Sequence, residues 1–119
     1  MLTAEELESG LRTGYEGRRL ELKGPGRSDE KRFLAKVARA ALSMGNLRDG
    51  GHVVIGVNDG SPQDMLPGLD EDELATWLVY DEISGRLASY CDPPVSFDLA
   101  QIDLSTGATV VVIQVHEFA

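Results

Sequence analysis

The feature that most constrains the fold is a short apolar run, His52-Val-Val-Ile-Gly-Val57, bounded on both sides by turn residues. Asp49-Gly50-Gly51 precedes the run and Asn58-Asp59-Gly60 follows it, and both triplets are typical of tight turns. A nearly continuous apolar run of this length is typical of a strand at the centre of a sheet. The fold is therefore expected to contain a sheet built around residues 52–57.

The segments on either side of this run supply the other elements. Their patterns predict a short helix at 3–12, a strand at 19–23, a helix of about 18 residues capped by Ser28, a second helix at 70–90, and a hairpin of strands 95–104 and 109–116. This order predicts an α+β fold: a mixed β-sheet of at least four strands, packed with two main helices and a short N-terminal helix.

Length and composition indicate one soluble domain covering residues 1–119. No apolar run approaches the roughly 20 residues of a membrane span, and the N-terminus lacks the pattern of a signal peptide. Cys91 is the only cysteine, so an intrachain disulfide is excluded and a cytoplasmic location is expected. Because the sequence stops directly after an apolar strand, we expect the natural protein to continue beyond residue 119.

The net charge of −9 is unevenly distributed along the chain. Residues 1–48 hold ten of the eleven basic residues and seven acidic ones, a net charge of +3. Residues 49–119 hold one basic residue and thirteen acidic ones, a net charge of −12. A chain divided in this way can present a basic face to a polyanion, although an ordinary solvated acidic surface is an equally open interpretation.

The helix after Ser28 carries a basic stripe. Four residues recur on one face at helical spacing: Arg32, Lys36, Arg39 and Ser43. This stripe is the strongest polyanion contact that the sequence offers, and solvation with local salt bridges is the alternative. The basic residues that precede the helix are added to the cations of the stripe. The candidate nucleic-acid-binding residues are then Arg18, Arg19, Lys23, Arg27, Arg32, Lys36 and Arg39.

Three carboxylates are candidates for a metal site. Glu21 points out of its predicted strand, and Asp59 follows the apolar run, so the two meet at one sheet end if their strands are neighbours. Glu16 joins them only if the chain bends at Gly17. Three converging carboxylates favour Mg²⁺ or Mn²⁺, which beside basic side chains supports phosphodiester cleavage. In a chain with twenty acidic residues, such a grouping can also arise by chance.

The loop Gly24-Pro25-Gly26 leads toward the start of the basic helix. Backbone N–H groups in such a loop, with a helix N-terminus, favour phosphate and therefore indicate a weak nucleotide-binding alternative with ATP as ligand. The loop lacks the lysine spacing of a P-loop, and a plain turn is the simpler interpretation.

The sequence resembles the Schlafen-type AlbA-like domain family over nearly its whole length. The resemblance rests on Tyr15-Glu16 with Leu20-Glu-Leu-Lys23, on Ala-Leu-Ser-Met-Gly-Asn at 41–46, and on the segment from Asp49 to Asp59. Pro67-Gly-Leu69, Asp92-Pro-Pro94 and the final Val-Val-Val-Ile-Gln-Val strand agree with it. The resemblance implies a nucleic-acid-binding module that acts on RNA or DNA.

Two functions follow from the resemblance. The first is a metal-dependent endoribonuclease on structured RNA such as tRNA, with Glu16, Glu21 and Asp59 as catalytic and metal-binding residues and Lys23 as the lysine of the motif. The second is a non-catalytic DNA-binding domain of a transcriptional regulator. Ribonuclease members of the family form their cleft from two domain copies, so this single copy is expected to act as a homodimer.

Overall fold

The computed structural model describes residues 1–12, 19–58 and 67–119. In chain order, the elements in these ranges are α1 (Ala4–Arg12), β1 (Leu20–Lys23), α2 (Lys31–Gly45), β2 (Gly51–Ile55), α3 (Glu71–Ala75), α4 (Tyr80–Ala88), β3 (Phe97–Asp103) and β4 (Thr109–Val115). No helix within the described ranges combines the length and the apolar character that a membrane span requires.

The described strands form one mixed sheet in the order β1-β2-β4-β3. β1 runs parallel to β2, with Glu21 opposite Val53, and the other two pairs are antiparallel. β2 has a neighbour on each side, as its apolar run predicts, and β3 and β4 form the predicted hairpin. The α+β architecture with a mixed sheet of four strands is thereby confirmed for the described residues.

Helices cover both faces of the sheet, because the central strands are apolar on both sides. On one face, Val53 and Ile55 of β2 pack with Val37 of α2 and Ile83 of α4. On the opposite face, Val54 packs with the buried residues of α1 and β1. All four residues named from β2 and α2 have no exposed surface, so the sheet is the centre of the core.

The basic helix α2 begins two residues later than its sequence predicts. Glu30 is the N-cap residue, and its carboxylate accepts hydrogen bonds from the backbone N–H groups of Arg32 and Phe33. The prediction of Ser28 as the cap was wrong, because the Ser28 side chain is buried and bonded elsewhere in the chain. The helix therefore spans 15 residues rather than about 18.

The helix predicted at 70–90 is two helices. α3 begins with a capping box between Asp70 and Glu73, and it ends at Ala75 with Thr76 as the C-cap. α4 begins at Tyr80 after an extended Val79. Trp77, which lies between the two helices, is fully buried and donates its indole N–H to the Gly26 carbonyl oxygen at 2.9 Å. This contact with the β1–α2 loop interrupts the helix.

Candidate nucleic-acid interface

Strand alternation divides the four residues of β1 between two environments. Leu20 and Leu22 are buried on the α1 side of the sheet, as the alternating pattern predicts. Glu21 and Lys23 therefore face the other side, where α2 lies. The side-chain period of a strand thus brings a carboxylate and an ammonium group from β1 next to the basic helix.

A groove with a volume of about 160 Å³ lies between β1 and α2. Its walls, which we call the β1–α2 groove, are formed by Glu21, Lys23, Lys36, Arg39, Ala40, Ser43 and Met44. Three cations and one carboxylate give the groove a net positive charge at neutral pH. Three members of the predicted basic stripe therefore line one surface, together with the lysine of β1.

The single carboxylate of the groove is paired within it. Lys23 Nζ lies 3.3 Å from Glu21 Oε1, and the two side chains are 24% and 41% exposed, respectively. Their partial exposure leaves both groups accessible from solvent. On α2, the Ser43 hydroxyl donates to the Arg39 carbonyl oxygen at 3.1 Å, so its oxygen lone pairs remain available to a ligand donor.

Several other predicted cations lie away from this groove. Arg19 lines a second cavity, about 260 Å³, on the α1 side of the sheet, and its guanidinium lies 3.8 Å from Asp49. Arg27 makes a bidentate contact with Asp29 at 2.9 Å, and this pairing raises the Arg27 pKa. Arg32 is exposed on α2 but does not line the groove. Arg18 lies outside the described residues.

Of the three candidate metal-binding carboxylates, the structure describes only Glu21. Glu16 and Asp59 lie outside the described residues, so their convergence stays a prediction. The condition set for Glu21 and Asp59 is met, because β1, which carries Glu21, and β2, which precedes Asp59 in the sequence, are adjacent and parallel. In the described ranges, no group of three or more His, Cys, Asp or Glu side chains forms a site for a metal ion.

The loop between β1 and α2 is held by a cluster that the sequence did not reveal. Ser28 donates its hydroxyl to the Thr76 carbonyl oxygen, and its backbone N–H donates to Thr76 Oγ1 at 2.8 Å. Arg86 Nη1 donates to Ser28 Oγ at 2.6 Å and to the Thr76 carbonyl at 3.1 Å. We call these three residues the Ser28 latch. The feature of the sequence that could have indicated this cluster is Arg86, the single basic residue among thirteen acidic ones after residue 48.

The start of α2 is poorly suited to phosphate. Two backbone N–H groups of its first turn, those of Arg32 and Phe33, already donate to the Glu30 carboxylate. A phosphate at this point would meet that negative charge at short range. The Phe33 ring also lies directly against Gly26, where an added Cβ would be 2.6 Å from the ring. The β1–α2 groove is therefore the better anion site of the two.

Comparison with known proteins agrees with this architecture. The family model described as Schlafen, AlbA_2 matches residues 16–119. Among solved structures, the DIP2311 protein from Corynebacterium diphtheriae shares the fold, with a TM-score of 0.57 and 19% sequence identity. The similarity covers 95% of this chain and 25% of that one, so this chain spans about a quarter of its length. No match was found among curated proteins. With the family model matching most of its length, the chain belongs to the Schlafen AlbA_2 family.

Proposed function

We propose that this chain is a nucleic-acid-binding module that holds a phosphate backbone in the β1–α2 groove. The observation that carries the proposal is the convergence of Lys23, Lys36 and Arg39 on one groove. Membership of the Schlafen AlbA_2 family supports a role related to nucleic acid. Phosphate contacts from lysine and arginine provide most of the sequence-independent affinity of such proteins.

The size and chemistry of the groove favour a chain of phosphodiesters over an enclosed nucleotide. Pockets that enclose a whole small molecule usually measure about 300–1,000 Å³, whereas this groove measures about 160 Å³. Arg39 can bind a phosphate through two N–H groups, and Lys23 and Lys36 contribute point charges. The backbone of RNA or DNA can follow an open groove of this kind.

A binding experiment tests this proposal. Arg39→Ala should weaken binding to a fluorescently labelled tRNA about threefold to tenfold, because one charge-assisted contact is lost. Arg48→Ala is the matched control, since Arg48 is exposed and lies outside the groove, and its affinity should stay within about twofold of the wild type. Equal losses in the two variants, or no binding by the wild type, would overturn the proposal.

A metal-dependent endoribonuclease activity on structured RNA is the finer part of the proposal. The carboxylate oxygens of Glu16, Glu21 and Asp59 are ligands of the kind that Mg²⁺ and Mn²⁺ prefer. When bound, such an ion activates water and stabilises the charge that develops on the phosphate. Glu21 lies in the groove with the three cations, so a backbone held by them passes beside its carboxylate. Lys23 Nζ, 3.3 Å from Glu21 Oε1, holds that carboxylate in place.

The catalytic part is tested separately from binding. With Mn²⁺, wild-type protein should cleave tRNA, and Glu21→Gln should reduce cleavage at least about 100-fold while the tRNA affinity is retained. Glutamine keeps the size of the side chain and removes its charge, so folding is preserved. Purified protein that leaves tRNA intact with every divalent ion tested would refute the endoribonuclease. Sedimentation of the protein with tRNA tests the expected homodimer at the same time.

The Glu21–Lys23 ion pair favours a second candidate function, a non-catalytic DNA-binding domain of a transcriptional regulator. In this function the carboxylate only pairs with its neighbouring cation. Glu21→Gln should then leave the affinity for duplex DNA unchanged, and no nucleic acid should be cleaved. A wild type that binds duplex DNA at least tenfold more tightly than tRNA would favour this second function.

A further inference from the structure

The β1–α2 groove contains two kinds of polar side chain, and only one kind matches a phosphate. Lys23, Lys36 and Arg39 carry hydrogen-bond donors alone, which suit the oxygen atoms of a phosphate. Glu21 and Ser43 line the same groove and carry acceptor oxygens. A phosphodiester has no N–H or O–H group, so it cannot donate to these acceptors. Their presence therefore indicates a ligand that also brings a donor into the groove.

The Ser43 hydroxyl is an acceptor because its proton is already used within the helix. Ser43 Oγ donates to the Arg39 carbonyl oxygen at 3.1 Å. A serine hydroxyl has one donor and two acceptor lone pairs, so only the lone pairs remain for a ligand. Ser43 is exposed, and a ligand in the groove can reach its oxygen.

Ser43 lies next to the place where a phosphate would bind. Arg39 and Ser43 are four residues apart on α2, so they share one face of the helix and are separated by about 6 Å along its axis. Every sugar within a nucleic-acid strand is bonded directly to two phosphates. A phosphate bound by Arg39 therefore brings a sugar close to the Ser43 hydroxyl.

The groove is better suited to the backbone of a nucleic acid than to its bases. No aromatic side chain is among the described residues that line it, so a base finds no ring to stack on. We therefore expect contacts with the sugar and the phosphate. Ribose carries a 2′-OH that can donate to an acceptor, whereas deoxyribose has no hydroxyl at this position. The donor that the groove requires is thus present in the backbone of RNA and absent from that of DNA.

We propose that Ser43 distinguishes ribose from deoxyribose: its Oγ accepts a hydrogen bond from the 2′-OH of a nucleotide whose phosphate is bound by Arg39. The inference rests on the proposed function, because it takes the β1–α2 groove as the phosphate-binding surface. We assign this role to Ser43 rather than Glu21, since Glu21 Oε1 already lies 3.3 Å from Lys23 Nζ. A neutral hydroxyl also avoids the repulsion between a carboxylate and the neighbouring phosphates.

Three single strands of one base sequence test the proposal: RNA, DNA, and RNA with fluorine in place of each 2′-OH. A sequence of adenine and cytosine, about 12 nucleotides long, gives all three the same bases without self-pairing. The fluorinated strand keeps a ribose-like sugar shape but has no 2′ donor. In fluorescence anisotropy, the wild type should bind the RNA about threefold to tenfold more tightly than the other two strands, the effect of one hydrogen bond.

Ser43→Ala should remove this preference. It should bind the RNA about threefold to tenfold more weakly than the wild type does, and the DNA and the fluorinated strand within about twofold of it. Ser43 is exposed and alanine is the better helix former, so folding is retained. Ser89→Ala is the matched control, because Ser89 is also an exposed serine whose hydroxyl contacts the carbonyl four residues earlier, and it lies outside the groove. Its preference for RNA should equal that of the wild type.

Three results would overturn the proposal alone: equal wild-type affinity for RNA and DNA, a fluorinated strand that binds like RNA, or equal losses for all strands in Ser43→Ala. The last result would indicate a contact with phosphate instead of the sugar. Arg39→Ala identifies these cases, because it should still weaken the binding of every strand if the groove holds phosphate. A wild type that binds none of the strands would refute the proposed function and this inference together.

Discussion

Gly51 is the residue that lets helix α2 approach the sheet closely enough to form the β1–α2 groove. A Cβ atom at this position would overlap the Met44 sulfur of α2 and would lie 2.8 Å from the Arg19 carbonyl oxygen. Met44 itself lines the groove. The close approach of α2 to the sheet at the groove therefore requires glycine at position 51, because any larger side chain would overlap α2.

Two glycine-to-alanine substitutions test this role. Gly51→Ala should lower the free energy of unfolding by about 1–3 kcal/mol through overpacking, and it should weaken tRNA binding as well, because Met44 is displaced. Gly85→Ala is the control: Gly85 lies within α4 with open space around its Cα, so alanine should stabilise the protein by about 0.5–1 kcal/mol. Urea denaturation measures both changes, and a destabilised Gly85→Ala or an unaffected Gly51→Ala would contradict the packing argument.

His52 makes folding stability depend on pH. Burial lowers the His52 pKa, and repulsion from the N-terminal ammonium group lowers it further. Its Nε2 atom is buried and has no hydrogen-bond partner among the described residues. The unfolded chain therefore takes up a proton at about pH 6.5, whereas the folded protein does so only at lower pH.

The sign of the pH effect follows from this difference. Because the unfolded state binds more protons, the His52 contribution is fully present above about pH 6.5 and is lost as the pH falls toward the folded pKa. Urea midpoints measured between pH 7.5 and pH 5 should decrease for the wild type, and His52→Asn should show a smaller decrease. Identical slopes in the two proteins would refute a role for His52.

At the residue scale, the sequence predicts the direction of side chains better than their partners. The alternation of Leu20-Glu-Leu-Lys23 correctly predicts that Glu21 and Lys23 share one face. It does not reveal that Lys36 and Arg39 lie across the groove, because that distance depends on how closely α2 approaches at Gly51. Arg27, predicted in the same basic set, pairs with the neighbouring Asp29 instead.

At the scale of elements, the Ser28 latch connects the β1–α2 loop to the segment between α3 and α4. Ser28 Oγ has both a donor, Arg86, and an acceptor, the Thr76 carbonyl, and the Ser28 side chain has no exposed surface. Removal of this hydroxyl leaves one Arg86 N–H without its acceptor next to a fully buried residue. Such losses are more costly than the hydrogen bond itself.

Ser28→Ala should therefore lower the free energy of unfolding by about 1–3 kcal/mol. Ser89→Ala provides the matched control, because Ser89 is exposed and its hydroxyl makes only a long 3.5 Å contact with the Gly85 carbonyl; its effect should stay within about 0.5 kcal/mol. Urea denaturation at pH 7.5 compares the two variants. A Ser28→Ala protein as stable as Ser89→Ala would show that the latch contributes nothing to stability.

The latch also explains why sequence periodicity predicts one helix where the structure has two. Leu74, Trp77 and Leu78 fit a continuous helical stripe, and the pattern contains no proline or glycine between them. The break comes from contacts distant in sequence, the Trp77 bond to Gly26 and the Thr76 bonds to Ser28, about 50 residues away. The local sequence pattern contains no information on such distant contacts. It does predict the positions of the strands, because their burial depends on the apolar runs themselves.

At the scale of the whole molecule, the charge asymmetry of the sequence becomes a spatial one. Lys23, Lys36 and Arg39 line the groove at the β1 edge of the sheet. Nine acidic residues lie in 70–103, the segment that contains α3, α4 and the opposite edge strand β3. A net charge of −9 repels a polyanion from most directions. Nucleic acid is therefore expected to approach from the β1–α2 side, with few phosphate contacts.

The salt dependence of binding measures how many contacts form. If Lys23, Lys36 and Arg39 each neutralise one phosphate, the plot of log K against log salt concentration should have a slope of about −2 to −3 for tRNA. Lys36→Ala should reduce the magnitude of the slope by about 1, whereas Lys31→Ala, an exposed cation on the same helix outside the groove, should leave it unchanged. Fluorescence anisotropy between 50 and 200 mM KCl, salt concentrations at which such losses are readily resolved, provides the data. A slope near zero, or one that Lys31→Ala changes as much as Lys36→Ala does, would show that the groove is not the phosphate-binding surface.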